Sequence, residues 1–349
     1  MKLAAVLLVL ATVAFAAGEF STGGAELWKF KGWGTFRMVM YGQEEADPDM
    51  AFSSVWDLAW EPKLNDYLSA RAELSMDAAS STSNGYADIW DAYLNLMPAD
   101  GFCIRGGQFK RNIGWGFLES STALLFPDRP LYTGYSVFGK YGKRDIGAML
   151  VGDFDMFSID MAYTNGVVEG AETDSNKQFT IHATVEPAEW ATIGAGMGMY
   201  AADDTTAEDE SFSSSAIDLY GIVNYPMSET MDLHFTGEYM MLGMPAPDVE
   251  GMEKTDGTVM TAALGATFDI NGALITGITP MIRYETISPA YMAAEGADEP
   301  EDDYGAIDFC GNIHMGSNNV LQIGARSYSF QNEDVDGYTD IIVNWRMNF

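Results

Sequence analysis

Apolar and polar residues take turns along most of this chain. In the final stretch Thr339, Ile341, Val343, Trp345, Met347 and Phe349 share one parity, and Asp340, Ile342, Asn344, Arg346 and Asn348 the other. A period of two is that of a β-strand whose two faces meet different surroundings. Phe36, Met38 and Met40 alternate in the same way with Thr35, Arg37 and Val39. So do Leu68, Ala70, Ala72, Leu74 and Met76 with Tyr67, Ser69, Arg71, Glu73 and Ser75, and Phe179, Ile181, Ala183 and Val185 with Thr180, His182 and Thr184. The rhythm predicts sixteen strands, at 27–41, 51–61, 66–77, 86–97, 102–110, 144–152, 155–165, 177–186, 190–200, 214–225, 230–242, 258–270, 273–287, 304–315, 320–330 and 338–349.

The gaps between these segments sort into two kinds. Every second one is short and holds turn-forming Pro, Asn or Gly: Pro62–Asn65, Pro98–Gly101, Gly152–Asp155, Glu186–Glu189, Pro226–Glu229, Asn271-Gly272 and Gly316–Asn319. The gaps between them are longer and mostly acidic. Short turns at one end and long loops at the other predict an all-β fold, a transmembrane antiparallel β-barrel of the bacterial outer membrane. Closure pairs every backbone N–H and C=O, so strands cross lipid with no exposed edge. An even strand count places both ends of the barrel on the periplasmic side, and the aromatic last strand, ending in Phe349, suits a lipid-facing position.

The start of the chain fits export. Lys2, the apolar run Leu3–Phe15 and the small-x-small Ala14-Phe15-Ala16 read as a secretory signal peptide over 1–16, cleaved near Ala16, leaving 17–349 as the barrel. No later segment is apolar enough for a membrane-spanning helix. A net charge of −33 argues against nucleic acid as a partner. Cys103 and Cys310 are too few for a disulfide framework.

Positive charge is scarce, so its placement is informative. Lys29, Lys31, Arg37, Arg71, Arg105, Arg283, Arg326 and Arg346 all fall on the polar parity of their strands and are expected on the lumen wall. Lys110, Arg111, Arg129, Lys140, Lys143 and Arg144 cluster in or beside the longest gap, the third loop at about 111–143, against only Glu119 and Asp128. That loop also carries Ile113, Trp115, Phe117, Leu118, Leu124, Leu125, Phe126, Leu131, Tyr132, Tyr135 and Phe138, too apolar a set for a segment left in water. It is expected to fold into the barrel and narrow it, and a basic constriction favours anions.

Gly106-Gly107-Gln108-Phe109-Lys110-Arg111-Asn112-Ile113-Gly114-Trp115-Gly116, Leu118-Glu119-Ser120-Ser121, Phe126-Pro127-Asp128-Arg129, Arg144-Asp145-Ile146-Gly147 and Tyr163-Thr164-Asn165-Gly166 resemble the porin O/P family of phosphate- or polyphosphate-selective outer-membrane porins. The likeness runs from about Arg105 to Asn165; the chain departs in its acidity and at Asn112-Ile113, where the family often has a proline-containing step. The resemblance implies a sixteen-stranded barrel, usually a homotrimer, with an inward third loop and Arg129 and Arg144 on the permeation path.

Together these features predict a porin for passive diffusion of small hydrophilic or anionic solutes, set in outer-membrane lipid and lipopolysaccharide. No cofactor, metal site or enzymatic activity is expected. His182, His234 and His314 lie on separate strands, and no nucleophile elbow occurs. The competing reading is a structural or binding barrel without an open pore. Its acidic loops, such as Glu44–Asp49, Asp203–Glu210 and Glu295–Asp303, would bind cations or lipopolysaccharide. Current across a bilayer separates the two.

Overall fold

The computed structural model describes residues 29–43, 50–77, 86–134, 138, 141–166, 177–203, 211–243, 252–288, 291–294, 304–330 and 336–349. The expected leader (1–16) and Lys140 lie outside them. The described strands form a closed antiparallel barrel of sixteen. In chain order they are β1 (Phe30–Met40), β2 (Met50–Trp60), β3 (Leu68–Asp77), β4 (Tyr86–Ala99), β5 (Phe102–Lys110), β6 (Arg144–Phe154), β7 (Phe157–Thr164) and β8 (Lys177–Ala188). There follow β9 (Ala191–Asp203), β10 (Ser211–Ser228), β11 (Met231–Gly243), β12 (Gly257–Asp269), β13 (Gly277–Ser288), β14 (Tyr304–Met315), β15 (Asn319–Phe330) and β16 (Thr339–Asn348). A short piece, Lys63–Asn65, extends the ladder onto β3, and a separate ribbon pairs Met252–Thr255 with Tyr291–Ala294.

Each strand pairs with its sequence neighbours, and β1 closes the ring on β16. Phe36 stands opposite Trp345 in one ladder and Ser54 in the other. Closure finishes with a reciprocal pair of backbone bonds, Gly32 N–H to Phe349 O at 2.8 Å and Phe349 N–H to Gly32 O at 2.9 Å. Glycine at 32 suits this seam, because a Cβ there would lie 2.8 Å from the Asp57 carbonyl oxygen and 2.5 Å from the Phe349 ring.

The alternation is inside-out relative to a soluble sheet. Phe36 is 53% exposed, Leu264 55% and Trp345 45%, so the apolar parity faces away from the barrel, as a lipid-solvated surface must. Exposed Phe30, Tyr67, Phe102, Phe157, Trp190, Tyr225 and Phe349 gather at the short-turn end, and Tyr163, Tyr239 and Tyr284 toward the loop end. Paired aromatic girdles of this kind mark the two membrane interfaces. Along β13 buried and exposed positions alternate from Gly277 to Ile287, the buried ones facing the lumen.

One connection is wider than its residues predict. The Asn271-Gly272 turn spans Ile270 to Thr276, and β13 begins at Gly277 rather than at 273. Ile270 N–H reaches Thr276 O at 2.9 Å, and Thr276 N–H bonds His314 O at 2.9 Å. The apolar run Ala273-Leu274-Ile275 imitates a strand start, yet Leu274 is 70% exposed at the rim.

Candidate functional site

The third loop enters the barrel at Gly114, whose φ of 86° turns the chain sharply after β5. A single helical turn follows, α1 (Trp115–Leu118), and later a 3-10 turn at Leu131–Gly134. Buried carboxylates on the wall hold both turns. Gly114 N–H donates to Asp218 Oδ2 at 2.9 Å, and the Tyr132 hydroxyl donates to Glu238 Oε1 at 2.6 Å. Tyr132 also accepts from Gly116 N–H at 2.7 Å, and Leu131 N–H donates to Glu285 Oε2 at 2.7 Å. Full burial pushes the Tyr132 phenol well above its ordinary pKa, so the hydroxyl remains a donor.

Apolar packing completes the attachment. Ile113, Phe117, Tyr132, Phe138 and Tyr141 form one cluster with Ala216, Met240, Leu242, Val259 and Ile287 of β10 to β13. Phe126 forms a second with Ala263, Met281 and Cys310. Loop carbonyls further along accept from the wall: Leu125 O from Asn312 at 2.9 Å and Leu124 O from Gln322 at 3.1 Å. The loop therefore lies against the wall from β10 to β15, touches Arg346 of β16, and leaves space along β1 to β4.

Two adjoining cavities lie in that space. The inner one, about 350 Å³, faces the short-turn halves of β1 to β3, together with Trp90 and Asp91 of β4 and the loop ends of β5 and β6. The outer one, about 280 Å³, faces the loop-end halves of β1 to β4 and reaches β15 and β16. Trp33, Trp90 and Ser121 line both.

Of the residues expected at the constriction, Lys110 and Arg144 line the inner cavity and Arg129 the outer. Arg111 lines neither; it is fully buried, pairing with Asp145 at 3.2 Å and donating to Gln178 at 2.6 Å. Lys143 is half-buried, and its carbonyl accepts from Arg111 at 3.0 Å. Among the expected wall cations, Lys31 and Arg71 line the inner cavity and Arg37 and Arg346 the outer. Arg283 and Arg326 are buried against Asp308 and hydrogen-bond loop carbonyls. Arg105 lies over the Tyr93 ring at 4.2 Å, and Lys29 is exposed just before β1.

Charge pairing divides the cations that reach the cavities. Arg71 pairs with Glu61, Glu73 and Asp91, Arg144 with Asp91 at 2.7 Å, Lys31 with Glu61 at 2.9 Å, and Arg37 with Asp128. Lys110 instead donates to Phe117 O at 2.7 Å, Arg129 to Gly116 O at 2.7 Å and Ser121 Oγ at 3.0 Å, and Arg346 to Leu124 O at 2.9 Å. Among the described residues none of these three has a carboxylate within salt-bridge distance. Carbonyls satisfy the donors without cancelling the charge. Burial pushes the nearby Glu119 carboxyl above the usual glutamate range, against the pull of Arg129, Arg283 and Arg346.

The histidines do not converge. His182 lies between Asp160 and Tyr220, while His234 and His314 are joined through Thr267 and Thr279 by hydrogen bonds of 2.7–2.8 Å. The anchoring carboxylates Asp218, Glu238 and Glu285 are functional residues that the reading of positive charge missed. Their signal is a carboxylate inside a strand, on the parity opposite exposed Leu219, Tyr239 and Tyr284.

No protein-family model and no curated protein sequence matches the chain. Solved structures do match in fold. OprB of Pseudomonas putida superposes with a TM-score of 0.62 at 8% identity, covering 93% of this chain and 94% of that one. A loop-deletion form of OmpT, an outer membrane protein of Vibrio cholerae, gives 0.59 at 11% identity over 92% and 98%. An anion-selective porin from Comamonas acidovorans gives 0.58 at 12% identity over 93% and 100%. The fold is that of outer-membrane porin barrels.

Proposed function

We propose that this chain is an outer-membrane porin, a passive channel for small hydrophilic solutes that favours anions at its narrowest part. The observation that carries the reading is the trio Lys110, Arg129 and Arg346 beside the two lumen cavities, each held by loop carbonyls rather than carboxylates. Rings of unneutralised cations at a constriction favour anions. Arg144 contributes less, because Asp91 sits against it. Likeness in fold to the anion-selective porin of Comamonas acidovorans supports the same reading, and the segment resembling the porin O/P family makes phosphate-type anions the first solutes to try.

The mature barrel, 17–349, would follow cleavage of the leader near Ala16. It would sit in the outer membrane among lipid and lipopolysaccharide as a homotrimer, in keeping with the trimer form of Vibrio cholerae OmpT. The reading assigns the lumen to transport, with no catalytic role.

Reconstitution in a planar bilayer tests it. Purified protein should give stepwise currents, and a KCl gradient should give a reversal potential of anion-selective sign. Arg129→Gln should move that potential toward the cation side. Cation-selective sign in the wild-type chain overturns the anion preference. A barrel that inserts without any current overturns the channel and leaves the structural reading.

A further inference from the structure

Asp57 on β2 is only 2% exposed, and neither of its carboxylate oxygens has a hydrogen-bond partner. Among the described residues it is the one buried carboxylate with both oxygens in that state. Its nearest polar neighbours, Ser75 and Trp33, are neutral, and among the described residues no cation stands within salt-bridge distance of it. Native proteins seldom bury an ion with nothing to meet it, because desolvation is then uncompensated. Asp57 lines the inner cavity, so its missing donors can come from a solute.

The charges around that cavity balance in an instructive way. It holds the cations Lys31, Arg71, Lys110 and Arg144 and the carboxylates Asp57, Glu61, Glu73 and Asp91. Lys31, Arg71 and Arg144 are matched with Glu61, Glu73 and Asp91. Among the described residues one anion, Asp57, and one cation, Lys110, stay outside these pairs, the lysine donating to the Phe117 carbonyl. A simple anion would be drawn to Lys110 and repelled by Asp57, and a bare cation would meet the reverse. A solute carrying both an ammonium and a carboxylate satisfies both.

We infer that the inner cavity is a binding subsite for small zwitterions of the α-amino-acid type. The solute ammonium donates to Asp57, its carboxylate accepts from Lys110, and its carbon body lies against Trp33 and Trp90, which line the same space. A volume of about 350 Å³ is ample for such a molecule. The inference deepens the channel reading above and rests on it.

Interruptions of single-channel KCl current measure the subsite with three probes: L-alanine, N-acetyl-L-alanine, which lacks the ammonium, and L-alaninamide, which lacks the carboxylate. One hydrogen bond to a charged group contributes about 1.5–3 kcal/mol, so alanine should half-block at a concentration about tenfold or more below either analogue. Asp57→Asn should erase the advantage over N-acetylalanine, and Lys110→Met the advantage over alaninamide. Equal block by all three probes in the wild-type chain overturns the subsite, as do unchanged ratios in both variants. The wild-type series decides even where a variant yields no channels. Absence of any KCl current would instead sink the channel itself; normal current with equal probes sinks only this inference.

Discussion

The two halves of the lumen wall come from the same alternating strands and end in opposite states. On β10 to β13 the inward parity is sealed: Ala216, Met240 and Val259 have no exposure, packed under Phe117, Tyr132 and Tyr141. On β1 to β3 the inward positions Thr35, Ser53, Val55 and Arg71 keep partial exposure and border the cavities. Strand rhythm puts both sets inside; the third loop decides which set stays wet. Apolar side chains choose the half, and carboxylates accepting loop N–H groups fix the position. A lumen narrowed in this way is asymmetric, with a packed side and an open side.

The contrast can be broken hardest at its centre. Tyr132→Ala removes a fully buried ring and leaves Glu238 and Gly116 without their shared hydroxyl. Truncation of a buried aromatic costs about 3–5 kcal/mol. Thermal unfolding in detergent should show the loss, and surviving channels should conduct more with noisier current as the loop loosens. A smaller effect separates the halves directly. Ala216→Leu overfills the sealed side and should cost about 1–3 kcal/mol, whereas Val55→Leu beside the outer cavity should stay within about 0.5 kcal/mol. Equal costs would deny the asymmetry. The smallest effect concerns pH. Because the Glu119 carboxyl titrates above the ordinary glutamate range, acidification should neutralise it earlier than a free side chain. Reversal potentials should then move toward anion preference as pH falls through that range, and Glu119→Gln should flatten the change.

The barrel was legible because lipid and lumen impose opposite demands on alternate residues, and all sixteen expected strands have observed counterparts with shifted ends. The exception is instructive: Ala273-Leu274-Ile275 is apolar for the membrane rim, not for a ladder. The inward loop was legible for a related reason, since Ile113, Phe117, Tyr132 and Phe138 need burial and have no place in an aqueous loop.

Charge state was not legible. Arg283 and Arg326 stand opposite Asp308 in neighbouring ladders, and Arg111 finds Asp145 across the loop. These neutralisations depend on register and loop path, which a period of two leaves open. Position alone therefore could not separate Arg111, locked in a buried pair, from Arg129, held on carbonyls beside the outer cavity. The anchors Asp218, Glu238 and Glu285 were hidden for a similar reason, because Asp218 and Glu285 accept from backbone N–H groups and Glu238 from the distant Tyr132 hydroxyl, which strand rhythm does not announce.

Thiol labelling during current recording tests most directly that solutes pass along the β1 to β4 wall and not along the sealed one. In a Cys103→Ser, Cys310→Ser background, Ser53→Cys and Ala216→Cys each place one thiol on an inward parity. A negatively charged, membrane-impermeant thiol reagent should lower the current stepwise in Ser53→Cys channels and leave Ala216→Cys channels unchanged. Block at Ala216→Cys together with silence at Ser53→Cys would put the passage on the wrong side of the loop and contradict the account.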